Sequence, residues 1–247
     1  MILRDLHIHT LYSDGKNTPE EVVLAAIEKG MTTVGFSDHS YTAFDESYCI
    51  KKENTDKYIR EINALKEKYK GKIEILLGIE QDFYSSEPTN RFDYIIGSVH
   101  YLKIGDDYIP VDETGDILSA AAEKYFGGDI YALIEEYYRT VSRVAEKTGA
   151  DIIGHFDLIT KFNEDGALFD ESHPRYVAAY RAAADRLIKS GKPFEINTGA
   201  VSRGYRTAPY PSAEITEYLK SRGARFILSS DSHSKDILCF GFDRYGK

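Results

Sequence analysis

The chain has 247 residues, which is long enough for one large barrel or two small domains. Hydrophobic residues make up 42% and charged residues 29%, which excludes intrinsic disorder, collagen-like repeats and disulfide-stapled miniproteins. The formal net charge of −9 disfavours general binding to nucleic acids or anionic membranes. The N-terminus does not resemble a secretory signal, no apolar run approaches the ~20 residues of a membrane span, and Cys49 and Cys239 form no redox or metal-binding spacing. We therefore expect a cytoplasmic protein that binds neither nucleic acid nor membrane.

Short apolar runs alternate with helical segments along the whole chain. Seven runs predict buried strands, at 2–6, 32–36, 73–77, 94–96, 151–153, 194–196 and 225–228. Five segments predict helices, at 19–29, 55–70, 129–147, 173–190 and 211–222. Thr18 and Pro19 are a typical helix start and Gly30 a typical end, while Ser212 is a possible N-cap of the last helix.

The repeated step from helix to glycine to strand is typical of parallel βα units. Seven such strands and the absence of a Ser/Gly/Pro-rich linker predict one α/β barrel domain spanning 1–247, closed or nearly closed. The weaker periodicity of 101–128 predicts an insertion at the mouth of the barrel. An open doubly wound sheet is also consistent with the rhythm alone.

Potential metal ligands lie at the end of each predicted strand or just after it. They are His7 and His9 in the first strand region, Asp38 and His39 after the second, Glu80 after the third, His100 after the fourth, His155 after the fifth, Asn197 after the sixth, and Asp231 with His233 after the seventh. The carboxyl ends of barrel strands converge on one face, where active sites form. The pattern therefore predicts one site that collects ligands from all seven strands.

Most of these residues have a structural interpretation when taken singly. His7 and His9 are two residues apart, which places both rings on one face of a strand, yet that pair alone is weak evidence. Asp14, before Gly15, is also a common turn residue. Asp38 and His39 could form a structural pair, and a single buried histidine is more often structural than a ligand. His173 precedes Pro174 at a predicted helix start, and we expect it to lie outside the site.

The mixture of histidine and carboxylate ligands without cysteine suits Zn²⁺, Mn²⁺ or Fe²⁺. Nine candidate ligands are too many for one ion, so the sequence indicates two or three divalent metal ions: His7, His9, Asp14, His39, Glu80, His100, His155, Asp231 and His233. Glu80 is the best candidate for a bridge, because its two oxygens can bind different cations.

Seven segments together resemble the PHP (polymerase and histidinol phosphatase) family. In chain order they are DLHIHTLYSDG, GFSDHS, GIEQDF, IIGSVHY, GHFDLI, FEINTG and SSDSHS, and the resemblance runs from Asp5 to Asp243. The sequence is similar in particular to the histidinol-phosphatase branch of the family. The segments that carry this likeness are IIGSVHYL and EINTGA followed by APYPS, together with the total length. The resemblance implies a distorted (β/α)7 barrel with a trinuclear metal site at the carboxyl ends of the strands. Family members continue into a last helix after the GFD segment, so we expect that helix to be missing from this sequence.

The resemblance also implies roles for individual residues. The first metal would be held by His7, His9, Glu80 and Asp231, the second by Glu80, His100 and His155, and the third by Asp14, His39 and His233. A water or hydroxide bridging two cations would attack phosphorus in line, with Glu80, Asp231 and His233 as the catalytic group. Phosphate also needs paired donors, for which Arg203, Arg206 and Lys161 are the candidates. Each could instead be a solvated surface cation, and the resemblance favours Arg203.

The expected reaction is hydrolysis of L-histidinol phosphate, a small phosphate ester, to L-histidinol and phosphate in histidine biosynthesis. One alternative is a PHP-type nuclease or nucleotide phosphatase, which would need a basic groove that the net charge disfavours. A metal-binding protein without catalysis is the other alternative, and it would be expected to lack several of these ligands.

Overall fold

The computed structural model describes residues 3–246, which form nine strands and nine α-helices. The strands are β1 (Arg4–Asp5), β2 (Thr33–Phe36), β3 (Glu74–Asp82), β4 (Tyr94–Ser98), β5 (Tyr101–Ile104), β6 (Asp107–Pro110), β7 (Ile152–Ile153), β8 (Phe194–Asn197) and β9 (Phe226–Ser229). The helices are α1 (Pro19–Glu28), α2 (Thr55–Lys68), α3 (Gly115–Phe126), α4 (Ile130–Val141), α5 (Val144–Thr148), α6 (Pro174–Ile188), α7 (Gly199–Ser202), α8 (Ala213–Ser221) and α9 (Phe242–Tyr245). Every predicted strand is present, although position 2 of the first lies outside the described residues.

Seven of the strands form one parallel sheet in the order β1-β2-β3-β4-β7-β8-β9. The seam between its two edges is bridged just beyond β1 and β9, where the His9 amide donates to the Ser232 carbonyl at 2.8 Å and the Ser232 amide donates to the His7 carbonyl at 2.9 Å. A doubly wound sheet instead starts in its middle and leaves two free edges. The nearly closed, distorted barrel predicted from the sequence is therefore confirmed.

The helices that cover the barrel begin and end close to where the sequence predicts. Thr18 forms a complete capping box with Glu21, and Pro19 occupies the first helical position of α1. Ser212 occupies the N-cap position of α8, but its side chain makes no capping hydrogen bond. No helix within residues 3–246 is long and apolar enough to cross a membrane.

One predicted helix, 129–147, is wrong as a single element, because the chain breaks it into α4 and α5. Arg143, with φ −109° and ψ 0°, leaves the helical region between the two. The break allows α5 to approach β4 at Gly97, where an added Cβ would lie within 2.7 Å of the Thr148 hydroxyl and 3.2 Å of a Val144 methyl group. Close packing against a glycine in the sheet thus overrides helical periodicity.

The segment 101–128 forms an antiparallel hairpin of β5 and β6 followed by α3. Thr114 caps α3 by accepting a hydrogen bond from the Ile117 amide, and Gly127 ends it in the left-handed region at φ 62°. Leu118, Ala121 and Ala122 of α3 join the core that the neighbouring helices share. The loop between β6 and α3 reaches the cavity at the carboxyl ends of the parallel strands.

The inside of the barrel is apolar at the amino ends of the strands. Leu6, Tyr94, Ile96 and Ile152 form one buried cluster there. The Tyr94 ring crosses the sheet where a Cβ on Gly78 would lie within 2.3 Å of it, and its hydroxyl donates to the Leu6 carbonyl at 2.6 Å. The barrel interior is thus filled by this apolar cluster at one end, and the polar residues lie at the opposite end.

Candidate metal centre

The nine predicted ligands converge at the carboxyl ends of the parallel strands. Each comes from the end of a strand or from the loop that follows it, and seven of the nine are buried; the His233 side chain is 18% exposed and that of Asp14 35%. Three overlapping groups place their ligand atoms within 4.8 Å of one another. These groups are His7, His9 and Glu80; His39, Glu80 and His100; and His9, Asp14, His39 and His233. Glu80 belongs to two of them, which is the position that a bridging carboxylate requires.

The first group lies around one oxygen of Glu80. Glu80 Oε2 is 3.3 Å from His7 Nε2 and 3.6 Å from His9 Nε2. Asp231 completes the group, with its Oδ1 3.3 Å from His9 Nε2 and 3.7 Å from His7 Nε2. Two imidazole nitrogens and two carboxylate oxygens therefore face one point.

The second group lies around the other oxygen of Glu80. Glu80 Oε1 is 2.9 Å from His155 Nε2 and 3.4 Å from His100 Nε2, and it accepts a hydrogen bond of 2.6 Å from the Ser98 hydroxyl. His39 also approaches Glu80, with Nδ1 2.8 Å from Oε2. His39, which the family resemblance assigns to the third metal, therefore lies between the second and third groups.

The third group contains Asp14, whose oxygens lie 3.1 Å from His233 Nε2 and 3.7 Å from His39 Nε2. The alternative turn role for Asp14 is filled by another residue. The Asp38 carboxylate accepts hydrogen bonds from the amides of Thr10 and Ser13, at 2.8 and 3.1 Å, and so shapes the loop. Asp38 is thereby separate from the ligand groups, and the Asp14 carboxylate remains directed at histidines.

The electrostatics of the site keep Glu80 ionised but shift the pKa values of its histidines in opposite directions. Burial would raise the pKa of Glu80, but His39 and His7 outweigh it and hold that pKa well below its usual range. Burial, reinforced by His233 and His39, lowers the pKa of His9 to about 3. For His7, burial is outweighed by Glu195 and Glu80, which hold its pKa well above the usual value. An ionised carboxylate and neutral imidazoles are the forms that bind cations, so a metal would displace the proton from His7.

Several buried polar atoms in this centre have no hydrogen-bond partner among residues 3–246. They include His7 Nε2, both ring nitrogens of His9 and His155 Nδ1. A buried polar atom without a partner costs about 1–3 kcal/mol, so this many together need an explanation. Divalent cations between the ligand atoms would satisfy most of them. The residues present therefore fit a centre that holds divalent metal ions.

Sequence reasoning missed the residues that orient these ligands. The Glu195 carboxylate lies 2.7 Å from His7 Nδ1, which turns the Nε2 of that ring toward Glu80. Asp82 stands 3.3 Å from His100 Nδ1 in the same manner. Such carboxylate–histidine pairs fix the ring orientation of metal ligands. The sequence did contain a sign of this role: Glu195 is an acidic residue inside the apolar strand β8 (FEIN). A buried charge needs a partner.

The three basic candidates lie in different environments. Arg203 lines the cavity beside the ligands: its Nη1 donates to the Asp231 carbonyl at 2.9 Å, and its Nη2 lies 3.3 Å from Asp231 Oδ2. Lys161 also lines the cavity, and its Nζ lies 3.2 Å from Asp112 Oδ2.

Arg206 is not among the residues that line the cavity. Its guanidinium is largely buried, hydrogen-bonds the Thr160 hydroxyl and stacks at 4.9 Å over the Tyr210 ring. Arg206 therefore packs against Tyr210, which lines the cavity, whereas Arg203 and Lys161 line the cavity themselves.

The chain matches a known family model and several known proteins. The family model described as PHP domain matches residues 5–199, a range that contains seven of the nine candidate ligands; Asp231 and His233 follow it. A curated relative from Deinococcus radiodurans, described as a probable histidinol-phosphatase, is 31% identical over 97% of this chain and 90% of its own.

Two solved structures share the fold. One from Listeria monocytogenes has a TM-score of 0.83 at 20% identity and covers 98% of this chain and 99% of its own. A histidinol phosphate phosphatase from Lactococcus lactis, complexed with zinc, L-histidinol and phosphate, has a TM-score of 0.64 at 24% identity and covers 94% and 87%.

Proposed function

Because this chain belongs to the PHP family, we propose that it is a metal-dependent phosphomonoesterase that hydrolyses L-histidinol phosphate to L-histidinol and phosphate. The observation that carries the proposal is the buried group of histidines and carboxylates around Glu80, which opens into a cavity of about 290 Å³. A cavity of that size suits a small ester. The 31% identical relative and the complex of the Lactococcus protein with L-histidinol and phosphate support this choice of substrate.

The proposed ligand sets differ from the three observed groups: they add Asp231 and His155 and assign His9 and His39 to one ion each. His7, His9, Glu80 and Asp231 would hold one divalent ion, Glu80, His100 and His155 a second, and Asp14, His39 and His233 a third. Divalent ions bound there would lower the pKa of water and neutralise phosphate oxygens. The absence of cysteine from the three groups makes zinc, manganese or iron the candidates.

Other side chains of the protein would orient the metal ligands and bind the phosphate. Glu195 and Asp82 hold His7 and His100 in one orientation. Glu80, Asp231 and His233 would face the reacting phosphorus, and the side chains of Glu80 and His7 are fully buried. Arg203 offers two parallel N–H donors that match phosphate oxygens, and they now point at Asp231.

Steady-state kinetics on three substrates tests the proposal. We expect kcat/KM for L-histidinol phosphate to exceed the values for a nucleoside monophosphate and an oligonucleotide by at least about a hundredfold, or about 2.7 kcal/mol of differential transition-state binding. Elemental analysis of the same samples should give two or three equivalents of metal. A preference for the nucleotide or the oligonucleotide would contradict the proposed substrate, and full metal content without turnover would contradict catalysis.

A further inference from the structure

We infer that the protein has a second small-molecule site, outside the barrel, for a neutral ring-sized molecule that carries one N–H or O–H donor. The site is a cavity of about 160 Å³ between the outer face of β3, the start of α2 and the loop between β3 and β4. None of the nine candidate metal ligands lines it. A ligand there would leave the metal centre free for substrate, so the inference goes beyond the proposed phosphatase function.

The cavity lies behind Glu80, because side chains alternate between the two faces of a strand. Glu80 points into the barrel, so its neighbours Ile79 and Gln81 point outward, where both line the cavity. Ile50, from the loop after β2, and Ile59, from α2, add to a mainly apolar wall, and both are buried. An apolar cavity of about 150 Å³ holds one benzene molecule, so the volume suits a single ring.

Gln81 supplies the polar contact that selects the ligand. Its side chain is 3% exposed, and its Nε2 donates to the Glu87 carbonyl at 3.2 Å, which fixes the orientation of the amide. Its Oε1 is buried and has no hydrogen-bond partner within residues 3–246. Such an oxygen has lost its water without gaining a donor, so an N–H or O–H group of a ligand would stabilise the complex. A molecule of the same shape without a donor would leave this oxygen unpaired.

The charged residues that line the cavity favour neither a cation nor an anion. Two ion pairs connect the start of α2 and the turn before it with the loop between β3 and β4, and their charges run in opposite directions. Arg91 Nη1 lies 2.7 Å from Asp56 Oδ1, and Lys52 Nζ lies 3.9 Å from Glu87 Oε1. The charges cancel in pairs, so the site favours a neutral ligand. Lys52, Asp56 and Arg91 are exposed, and exposed ion pairs open at little cost, so they do not bar entry.

The test compares phenol with toluene, in which a methyl group replaces the hydroxyl group. Both are titrated into the metal-loaded protein by ligand-observed NMR, with inorganic phosphate added to compete for the metal centre. We expect phenol to bind about fivefold more tightly than toluene, as for one hydrogen bond made in a buried site. In Gln81→Leu this preference should disappear, because leucine keeps the apolar contacts but lacks the acceptor. Ile59→Phe, which fills the cavity, should abolish the binding of both molecules.

Glu53→Gln is the matched control, because Glu53 is an exposed residue next to Lys52 that does not line the cavity. Its preference for phenol should equal that of the unaltered protein. Absence of phenol binding, or a preference for phenol that survives in Gln81→Leu, would overturn the inference, as would phenol binding that persists in Ile59→Phe. These measurements do not depend on turnover, so the phosphomonoesterase function would still stand. If the protein binds phenol as expected but hydrolyses no phosphate ester, the proposed function fails and this site stands.

Discussion

The two ends of the barrel interior carry opposite kinds of side chain on the same strands. Inward-facing residues recur every second position along a strand. Along β4, Tyr94 and Ile96 belong to the apolar cluster, whereas Ser98 donates a hydrogen bond to Glu80. Along β3, Gly78 makes room for the Tyr94 ring, whereas Glu80 two residues later is the centre of the ligand groups. In both strands the polar residue stands two positions after the last residue named at the apolar end.

This difference between the two ends of the barrel interior indicates which end needs a bound ligand to be stable. Apolar side chains at the amino end stabilise the fold by themselves, at about 1.5–3 kcal/mol for each one that is fully buried. At the other end, buried ions cost several kcal/mol each unless they are well paired, and the atoms left without partners are concentrated there. We therefore expect substitutions at the two ends to separate stability from metal binding.

Glu80→Gln should give the largest effect, since it removes the charge shared by two ligand groups. Two cations would then repel each other without compensation, so metal content should fall by more than one equivalent. Activity should fall at least about a thousandfold, more than the about 10–100-fold loss typical of an outer partner of a metal ligand. Elemental analysis and steady-state rates measure both. Full metal content and activity in this variant would rule out the bridging role.

Ile152→Ala tests the opposite end. Ile152 is buried in the apolar cluster and borders a cavity of about 1060 Å³, which allows some relaxation. We expect a loss of about 2–3 kcal/mol in the free energy of unfolding, measured by denaturant titration, with unchanged metal content. Ile152→Val should lose only about 1 kcal/mol. Loss of metal from Ile152→Ala without loss of stability would contradict the separation of the two ends.

Glu195→Gln tests whether the orientation of His7 matters beyond its presence. The amide keeps the shape of the side chain but loses the charge that lies 2.7 Å from His7 Nδ1. Metal affinity and kcat should fall about 10–100-fold, while the circular dichroism spectrum stays native. A metal titration at fixed pH measures the affinity. Unchanged affinity would mean that packing alone fixes the ring.

Arg203 tests whether the cavity binds phosphate through a residue that is not a metal ligand. Arg203→Ala should lower kcat/KM for L-histidinol phosphate at least about tenfold, with metal content unchanged. If the contact tightens in the transition state, kcat falls as well; if it serves only the ground state, KM alone rises. Arg203→Lys should restore function only in part, because lysine lacks the paired donors. Wild-type kinetics in Arg203→Ala would remove this residue from the site.

His173→Ala should have the smallest effect, since His173 is remote from both ends of the barrel interior. Its Nδ1 accepts a hydrogen bond from the Arg175 amide at the start of α6, and its ring stacks 3.8 Å from the Tyr131 ring. His173 therefore caps α6 at the helix start that the sequence predicts. Stability should fall by about 1 kcal/mol. Metal content and turnover should be unchanged, and a loss of turnover beyond tenfold would connect this helix to the site.

Local chemistry explains why so much of the barrel could be predicted. The strands are short apolar runs, and α1 carries its own start signals in Thr18 and Pro19. The break between α4 and α5 could not be predicted in this way, because its cause is the close approach to Gly97 on a strand about 45 positions earlier. The order of the ligands along the chain also predicted their convergence, since parallel strands place their carboxyl ends at one face.

The sequence by itself determined the parallel strands, most of the helices, the barrel and the kinds of side chain at one end of it. Only the tertiary structure decided how those side chains pair. It placed Glu195 beside His7 and gave the turn role to Asp38 rather than Asp14. It also packed Arg206 against Thr160 and Tyr210, while Arg203 lies beside Asp231. The physical reason is that these pairings depend on distances across the barrel between residues far apart in the chain. Periodicity and turn chemistry describe only neighbours in sequence.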